Sequence, residues 1–316
     1  MMLTVAETAA LLRTFDNVLI LTHVRPDGDT VGCAAALCAD LRALGKTAYL
    51  LHNPELTNTT TPYFAPYTAP DDFVPEKVVS TDIATVGLFP ENAKPYIGNI
   101  DLAIDHHPSF ESFGKENIVR PEAAACGELV ARILSLLGVQ LDKPMANALY
   151  TAISTDTGCF RYANTNAHAF LVASVCAKAG ADIAGLNLEL FETNSLAKLR
   201  LHAWIAENVK IFGDGELALV AIPKAVEERL GVTDAELGNL SSYARSIEGV
   251  CMAGLLREAE EGCKISLRAV PGYDAAAVCS LFGGGGHAGA AGGFIKEPLA
   301  VAEKTLMEAM LKWENS

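Results

Sequence analysis

The stretch Leu102-Ala-Ile-Asp-His-His-Pro108 constrains this chain more than any other. A short apolar run ends in one carboxylate and two adjacent imidazoles, and a proline then stops regular structure. Such a run reads as a buried strand. Open α/β sheets assemble their sites where buried strands deliver polar groups to the carboxyl edge. The rest of the chain must then supply neighbours for that strand and partners for a crowded charge. Three pieces do so: His23, Asp27 and Asp29 in Leu21-Thr-His-Val-Arg-Pro-Asp-Gly-Asp29, Asp82 after Lys77-Val-Val-Ser-Thr81, and Asp156 in Ala152-Ile-Ser-Thr-Asp-Thr-Gly158.

Taken in order, Thr4 to Glu7 reads as a capping box opening a helix toward Phe15. Val18 to Leu21 is a strand, Arg25 to Asp29 a loop broken by proline and glycine, and Thr30 to Leu44 an Ala-rich helix closed by Gly45. Thr47 to Leu51 is the next strand, and Asn53 to Pro75 an irregular excursion. Lys77 to Thr81 and Asp101 to Ile104 add strands, and Ala124 to Leu137 and Pro144 to Ser154 are helical. The alternation predicts a doubly wound, mostly parallel α/β sheet. Helices over Thr165 to Ala179 and Ile183 to Asn208 lead to a smaller α/β domain with a hairpin at Lys210 to Val220. Strands at Gly249 to Leu256 and Cys263 to Val270, a glycine-rich loop and an amphipathic helix complete it. The expected division is 1–182 catalytic, 183–208 helical linker and 209–316 substrate-binding.

Composition narrows the class. With 50% hydrophobic residues in 316, a sizeable core is available. A net charge of −14 argues against capture of long duplex nucleic acid, which needs a basic face. A short anion still binds where metal ions reverse the local potential. The eight cysteines form no CxxC pair and read as reduced thiols of a cytoplasmic protein. No signal-peptide start and no bilayer-length apolar run are present, so no membrane partner is expected.

Two histidines and four aspartates give mixed imidazole and hard oxygen donors, with no cysteine among them. That set suits Mn²⁺, with Mg²⁺ or Co²⁺ as alternatives, better than a thiolate-rich structural zinc site. Six ligands exceed one catalytic ion and fit two, a pairing that activates water and stabilises the leaving oxygen in phosphoryl transfer. Singly, Asp27 and Asp29 suit an ordinary turn, and Asp82 and Asp156 suit helix caps or turns. Their co-occurrence with His106 and His107 favours one dinuclear site. The second signal is Phe282-Gly-Gly-Gly-Gly-His-Ala-Gly-Ala-Ala-Gly-Gly-Phe294, whose bare backbone lets phosphate approach. It is neither a Walker loop nor a Rossmann fingerprint. Arg268 projects from a strand with a fork suited to phosphate, though such an arginine is commonly just solvated. His52, His168, His202 and Trp204 read as ordinary surface or packing residues.

These motifs resemble the DHH phosphoesterase superfamily with a DHHA1-type second domain, over almost the whole chain. The resemblance is greatest to nanoRNases that also act as adenosine 3′,5′-bisphosphate (pAp) phosphatases. It implies one Mn²⁺ on His23, Asp27 and Asp82 and another on Asp29, Asp82, His106 and Asp156, with Asp82 bridging. It implies that His107 contacts the scissile phosphate and that Asp105 orients His106 through its other ring nitrogen. Ser266, Arg268, Gly285, Gly286 and His287 would hold the substrate's terminal phosphate or backbone, with Arg161 and Phe160 along the nucleotide path. Where the family often has Arg-Ser, this chain has Arg268-Ala269. The implied activity is degradation of very short RNA to mononucleotides, with pAp as a second substrate. Rivals are a dedicated pAp phosphatase, a cyclic or linear dinucleotide phosphodiesterase, a RecJ-like single-strand exonuclease, and a binding module that lost its chemistry. None of the six ligands is missing, which weighs against the last. Polarity of degradation is left open, and there is room for a homodimer.

Overall fold

The computed structural model describes residues 1–237 and 240–314. Backbone contacts divide the chain into two units, Met1–Thr193 and Asn194–Ser316. In the first unit, β1 (Val18–Leu21), β2 (Ala48–Leu50), β3 (Lys77–Thr81), β4 (Leu102–Asp105) and β5 (Glu116–Val119) form one sheet in the order β2-β1-β3-β4-β5. Every pairing is parallel, as the expected α/β sheet requires. The helices are α1 (Val5–Thr14), α2 (Gly28–Ala43), α3 (Thr61–Phe64), α4 (Cys126–Leu137), α5 (Lys143–Asp156), α6 (Ala167–Lys178) and α7 (Ile183–Asn187).

The two faces of this sheet are covered differently. One packs Val18, Ile20, Val79 and Ile104 against apolar residues of α1, α2, α4 and α5. Helix α2 is buried from Gly28 through Leu41, which explains its small, all-round apolar sequence. It crosses α5 so closely that a Cβ on Gly32 would lie 2.3 Å from the Ala148 carbonyl oxygen. The other face packs Leu19, Leu21, Val78 and Ala103 against Ile83, Phe89, Ala93 and Ile100 from the β3–β4 connection, which holds only short 3-10 turns. Aromatic edges lock that layer: Phe89 meets Phe113 at 5.2 Å and Tyr49 meets Phe73 at 4.8 Å between centroids. The excursion at Asn53 to Pro75 thus contributes core, with Phe64 buried.

Three expectations need correction. Strand β5 was not foreseen, because its polar Glu116-Asn117 start hides it. Asn117 is buried and bonds both backbone groups of Gly114. Ile183 to Asn208 is not one helix: a π-turn at Leu188–Glu192 and an extended Thr193 interrupt it. Ser195 then caps α8 (Leu196–Asn208) by accepting from Lys198 N–H, a cap that competes with helix continuation. The glycine-rich segment is a hairpin rather than a loop, of β10 (Gly285–His287) and β11 (Ala290–Ile295).

The second unit also contains β6 (Lys210–Phe212), β7 (Leu217–Ile222), α9 (Lys224–Leu230), α10 (Leu240–Arg245), β8 (Met252–Ala259), β9 (Gly262–Ala269), α11 (Ala275–Ser280) and α12 (Leu299–Glu314). Its six strands run β10-β11-β9-β8-β7-β6. Only β7 with β8 is parallel. Along β7 the side chains alternate. Leu217 and Leu219 enter a core with Leu306 and Met310 of α12, while Ala218 and Val220 enter one with Leu201 and Ile205 of α8. That is the two-residue period of a strand buried on both faces. Among the described residues, no helix is long and apolar enough to cross a membrane.

Candidate metal centre

Each polar piece is delivered by a neighbouring element of the first unit. Strand β1 runs into His23, whose Nδ1 donates to the Val24 carbonyl at 2.7 Å. That bond fixes the tautomer and leaves Nε2 with a lone pair. After the turn, Asp27 caps α2 by accepting from the N–H groups of Asp29 and Thr30 at 3.1 and 3.2 Å. Asp27 is therefore both a cap and a member of the cluster. Asp29, in the first turn of α2, accepts from the Cys126 and Gly127 N–H groups at 2.6 and 2.9 Å. Those amides open α4, so a helix N-terminus stabilises this carboxylate. Strand β3 ends at Asp82, which holds a left-handed backbone (φ 58°) while its N–H donates to Ile104. Strand β4 ends at Asp105-His106-His107. Asp156 lies in the last turn of α5, not at a strand end or in a loop, and the close α2–α5 crossing brings it in.

These side chains converge. His23 Nε2 lies 3.5 Å from Asp27 Oδ1 and 3.8 Å from Asp82 Oδ2. His106 Nε2 lies 3.3 Å from Asp156 Oδ2, 3.5 Å from Asp82 Oδ1 and 3.8 Å from Asp29 Oδ2. Three triads place their donor atoms within 4.8 Å of one another: His23, Asp27 and Asp82; Asp29, His106 and Asp156; Asp82, His106 and His107. Asp82 is common to the first and third, and His106 to the second and third.

Electrostatics tests whether a cation fits. Asp82 Oδ1 and His106 Nε2 are buried without a hydrogen-bond partner. Burial, then the neighbouring Asp156 and Asp27, pushes Asp29 well above the usual carboxylate range. Burial together with Asp29, Asp27 and Asp156 does the same to Asp82. Burial opposes charge on His106, yet the Asp156 carboxylate 3.3 Å from its Nε2 and the nearby Asp82 raise it to about 9. Burial likewise opposes charge on His23, and Asp27 outweighs it. Carboxylates that resist ionisation unless a cation is present, beside an imidazole nitrogen with no partner, form a metal-binding donor set. The residues fit divalent ions with oxygen and imidazole preference.

The positioning bonds differ from those implied by the resemblance. His106 Nδ1 donates to the Ala123 carbonyl at 3.1 Å, so a backbone group orients it. Asp105 instead faces His107: its Oδ1 accepts from His107 Nδ1 at 2.8 Å and from the N–H of His106 at 2.7 Å. The backbone turns immediately at the strand end, which swings the second imidazole, not the first, onto Asp105. His107 is 41% exposed and Asp105 buried, so the Nε2 edge of His107 faces outward on a fixed ring. Neither the Ala123 carbonyl nor the α4 amides that hold Asp29 carry a side-chain signal, and sequence reasoning missed both.

The remaining predicted residues lie elsewhere. Arg161 is exposed, and its Nε donates to the Gly158 carbonyl at 2.6 Å. It follows Gly158, Cys159 and Phe160, all left-handed, and Phe160 stacks on Phe170 at 5.2 Å. In the second unit, pairing aligns His287 with Ala290 and Ala290 with Arg268, and Gly285 with Gly292 and Gly292 with Ser266. Ser266, Arg268 and His287 therefore share one face of that sheet. Leu267 and Gly286 alternate with them, and Leu267 points into the core.

A parallel sheet with this acidic and imidazole centre, joined to a second sheet carrying a Ser-x-Arg strand beside a glycine hairpin, defines a metal-dependent phosphoesterase. Comparison with known proteins agrees. Residues 17–153 match the DHH family, N-terminal domain, and residues 220–313 match the DHHA1 domain. The chain is 32% identical over 285 residues to a Thermus thermophilus protein named bifunctional oligoribonuclease and PAP phosphatase NrnA, spanning 88% of this chain and 84% of that one. A Bacillus subtilis protein of the same name is 25% identical over 293 residues, spanning 90% and 92%. The crystal structure of an exopolyphosphatase-related protein from Bacteroides fragilis aligns with a TM-score of 0.88 at 25% identity, covering 98% of this chain and 96% of that one. The chain belongs to the DHH phosphoesterase family, in the group with a DHHA1 domain whose members include those named NrnA.

Proposed function

We propose that this protein hydrolyses very short RNA to mononucleotides and removes the 3′-phosphate of pAp, with two Mn²⁺ ions. The observation that carries the metal part is Asp82, a buried carboxylate set between His23 and His106 with one oxygen left unbonded. The substrate part is supported by the name shared by the relatives above. His23, Asp27 and Asp82 would hold one ion, and Asp29, Asp82, His106 and Asp156 the other. When bound, such a pair activates water and stabilises charge on the leaving oxygen of a phosphate ester.

The protein's own groups do the rest. His107, held by Asp105 through Nδ1, presents Nε2 to a phosphoryl oxygen and stabilises the charge that develops there. Asp105 keeps that ring in one tautomer. We assign Ser266, Arg268 and His287, with the bare backbone of Gly285 and Gly286, to gripping the phosphate of a short chain, and Arg161 to its nucleotide path. Residues 1–182 would carry catalysis, 209–316 substrate binding and 183–208 the connection.

The test is a time course on 5′-labelled RNA of two, five and twenty-four nucleotides with Mn²⁺, beside phosphate release from pAp, with Asp105→Ala/His106→Ala as the blank. Rapid loss of the two- and five-mers with the long RNA spared supports the proposal. Short RNA left intact while pAp is hydrolysed replaces it with a dedicated phosphatase. Activity that grows with length points to an exonuclease of long strands.

A further inference from the structure

One basic residue occupies the acidic cleft. A cleft of about 360 Å³ opens beside the centre, and its lining includes His23, Asp27, Asp82, His107, Asp156 and Arg25. Among the described residues, Arg25 is the only arginine or lysine lining it. It is exposed, and no carboxylate or carbonyl among the described residues pairs with its guanidinium. Its guanidinium is therefore not committed to the fold's own charge pairing.

Its backbone adds a second observation. Arg25 is left-handed, with φ 48°, a conformation that is strained for an L-residue. The buried Pro26 that follows narrows its choices further. Both flanks are pinned: the Val24 N–H donates to the Leu88 carbonyl at 2.8 Å, and the Asp27 side chain caps α2. Glycine or asparagine fits such a turn more easily. An arginine kept there under strain, exposed and unpaired, has the marks of a residue retained for a ligand.

We propose that Arg25 is a substrate-binding residue, whose guanidinium takes a non-bridging oxygen of the nucleotide phosphate at the reacting end. This rests on the functional reading above. The carboxylates of Asp27, Asp29, Asp82 and Asp156 would offset much of the charge that two divalent ions bring, so a phosphate oxygen not held by a metal still lacks a cationic partner there. Arg25 supplies the missing positive charge through a fork that matches phosphate geometry.

The experiment compares the full chain with Arg25→Ala, Arg25→Lys and Arg25→Gly. It reads three quantities: calorimetric affinity for adenosine 5′-monophosphate with Mn²⁺, kcat/KM on an RNA dinucleotide, and melting temperature without metal. Arg25→Ala should weaken nucleotide binding about tenfold and lower kcat/KM about 10- to 100-fold. Arg25→Lys should recover part of both, since it keeps charge but not the fork. Arg25→Gly should lose as much as alanine while its melting temperature holds or rises by about 1–3 °C. Binding and kcat/KM within twofold of the parent in both Arg25→Ala and Arg25→Gly overturn the proposal. If the parent cleaves no short RNA, the functional reading falls, and the binding comparison alone decides on Arg25.

Discussion

The two sheets of this molecule handle polarity in opposite ways. Among the described residues, every buried polar or charged side chain lies in the first unit, with Asp29, Asp40, Asp82, Asp105 and Glu128 as its carboxylates. The second unit buries only apolar side chains and keeps Ser266, Arg268 and His287 half-buried or exposed on one sheet face. Burial of like charges gives the first unit a centre that needs cations and binds them. The second unit leaves solvent access to the residues that would meet a soluble anion. One sheet carries electrostatic frustration, and the other is relaxed.

The largest expected effect comes from relieving that frustration. Asp82→Asn keeps a side chain tolerant of the left-handed backbone but removes the shared carboxylate. Turnover should fall at least about 10³-fold, as for loss of a catalytic metal ligand, while the metal-free protein gains about 1–3 kcal/mol. Turnover assays and denaturant melts in chelator check both. A metal-free Asp82→Asn protein less stable than the parent would break the comparison.

Titration should report the same asymmetry. Asp29 and Asp82 have folded pKa values raised above the unfolded ones, so each binds its proton more tightly in the native state. The stability they contribute is complete below about pH 4 and is lost as pH rises through the folded values. His106 acts with the same sign, its contribution lost as pH climbs from about 6.5 through about 9. Asp40, lifted to about 6 by burial, adds to the trend at lower pH. Asp27, held below the usual range, opposes it only in acid: burial works against its charge, and His23 and the α2 amides outweigh burial. Thermal melts in chelator from pH 5 to 9 should therefore show a decline on the order of a few kcal/mol, flattened by added Mn²⁺. A flat metal-free profile would sink this account.

Backbone contact sets the next scale. Gly32→Ala drives a methyl into the Ala148 carbonyl and should cost about 1–3 kcal/mol. It should also weaken metal binding, because α2 carries Asp27 and Asp29 while α5 carries Asp156. In the second unit, a Cβ on Gly285 meets nothing within 4 Å. Gly285→Ala should change stability by less than about 0.5 kcal/mol while raising KM for short RNA severalfold. Unchanged KM would remove that glycine from the phosphate grip.

Much of this was legible in sequence because short apolar runs ending in acids and histidines are local signals. The strands before His23, Asp82 and Asp105 could be placed from residue type alone, and they fixed the parallel sheet. What stayed hidden depended on backbone groups and on contacts distant in sequence. Asp156 read as lying outside regular structure because its helix ends in Ser-Thr-Asp-Thr, residues that favour termini. The pairing of Asp105 with His107 rather than His106 follows from the angle at which the chain leaves β4, which periodicity does not encode. Asn117 concealed β5, and the glycine hairpin looked like a loop because glycine disfavours strands in general.

Asp156 also sets a timetable. All the acids and imidazoles of the centre lie within the first 156 residues, and Asp156 is the last of them to be synthesised. A ribosome moving at 5–20 residues per second needs about 5–20 s to reach Arg268 after it. During that interval the candidate ligand set already exists while the strands carrying Ser266, Arg268 and His287 do not. Metal capture can thus precede substrate capture in the life of each molecule, and a nascent chain stalled before α5 is complete would lack Asp156.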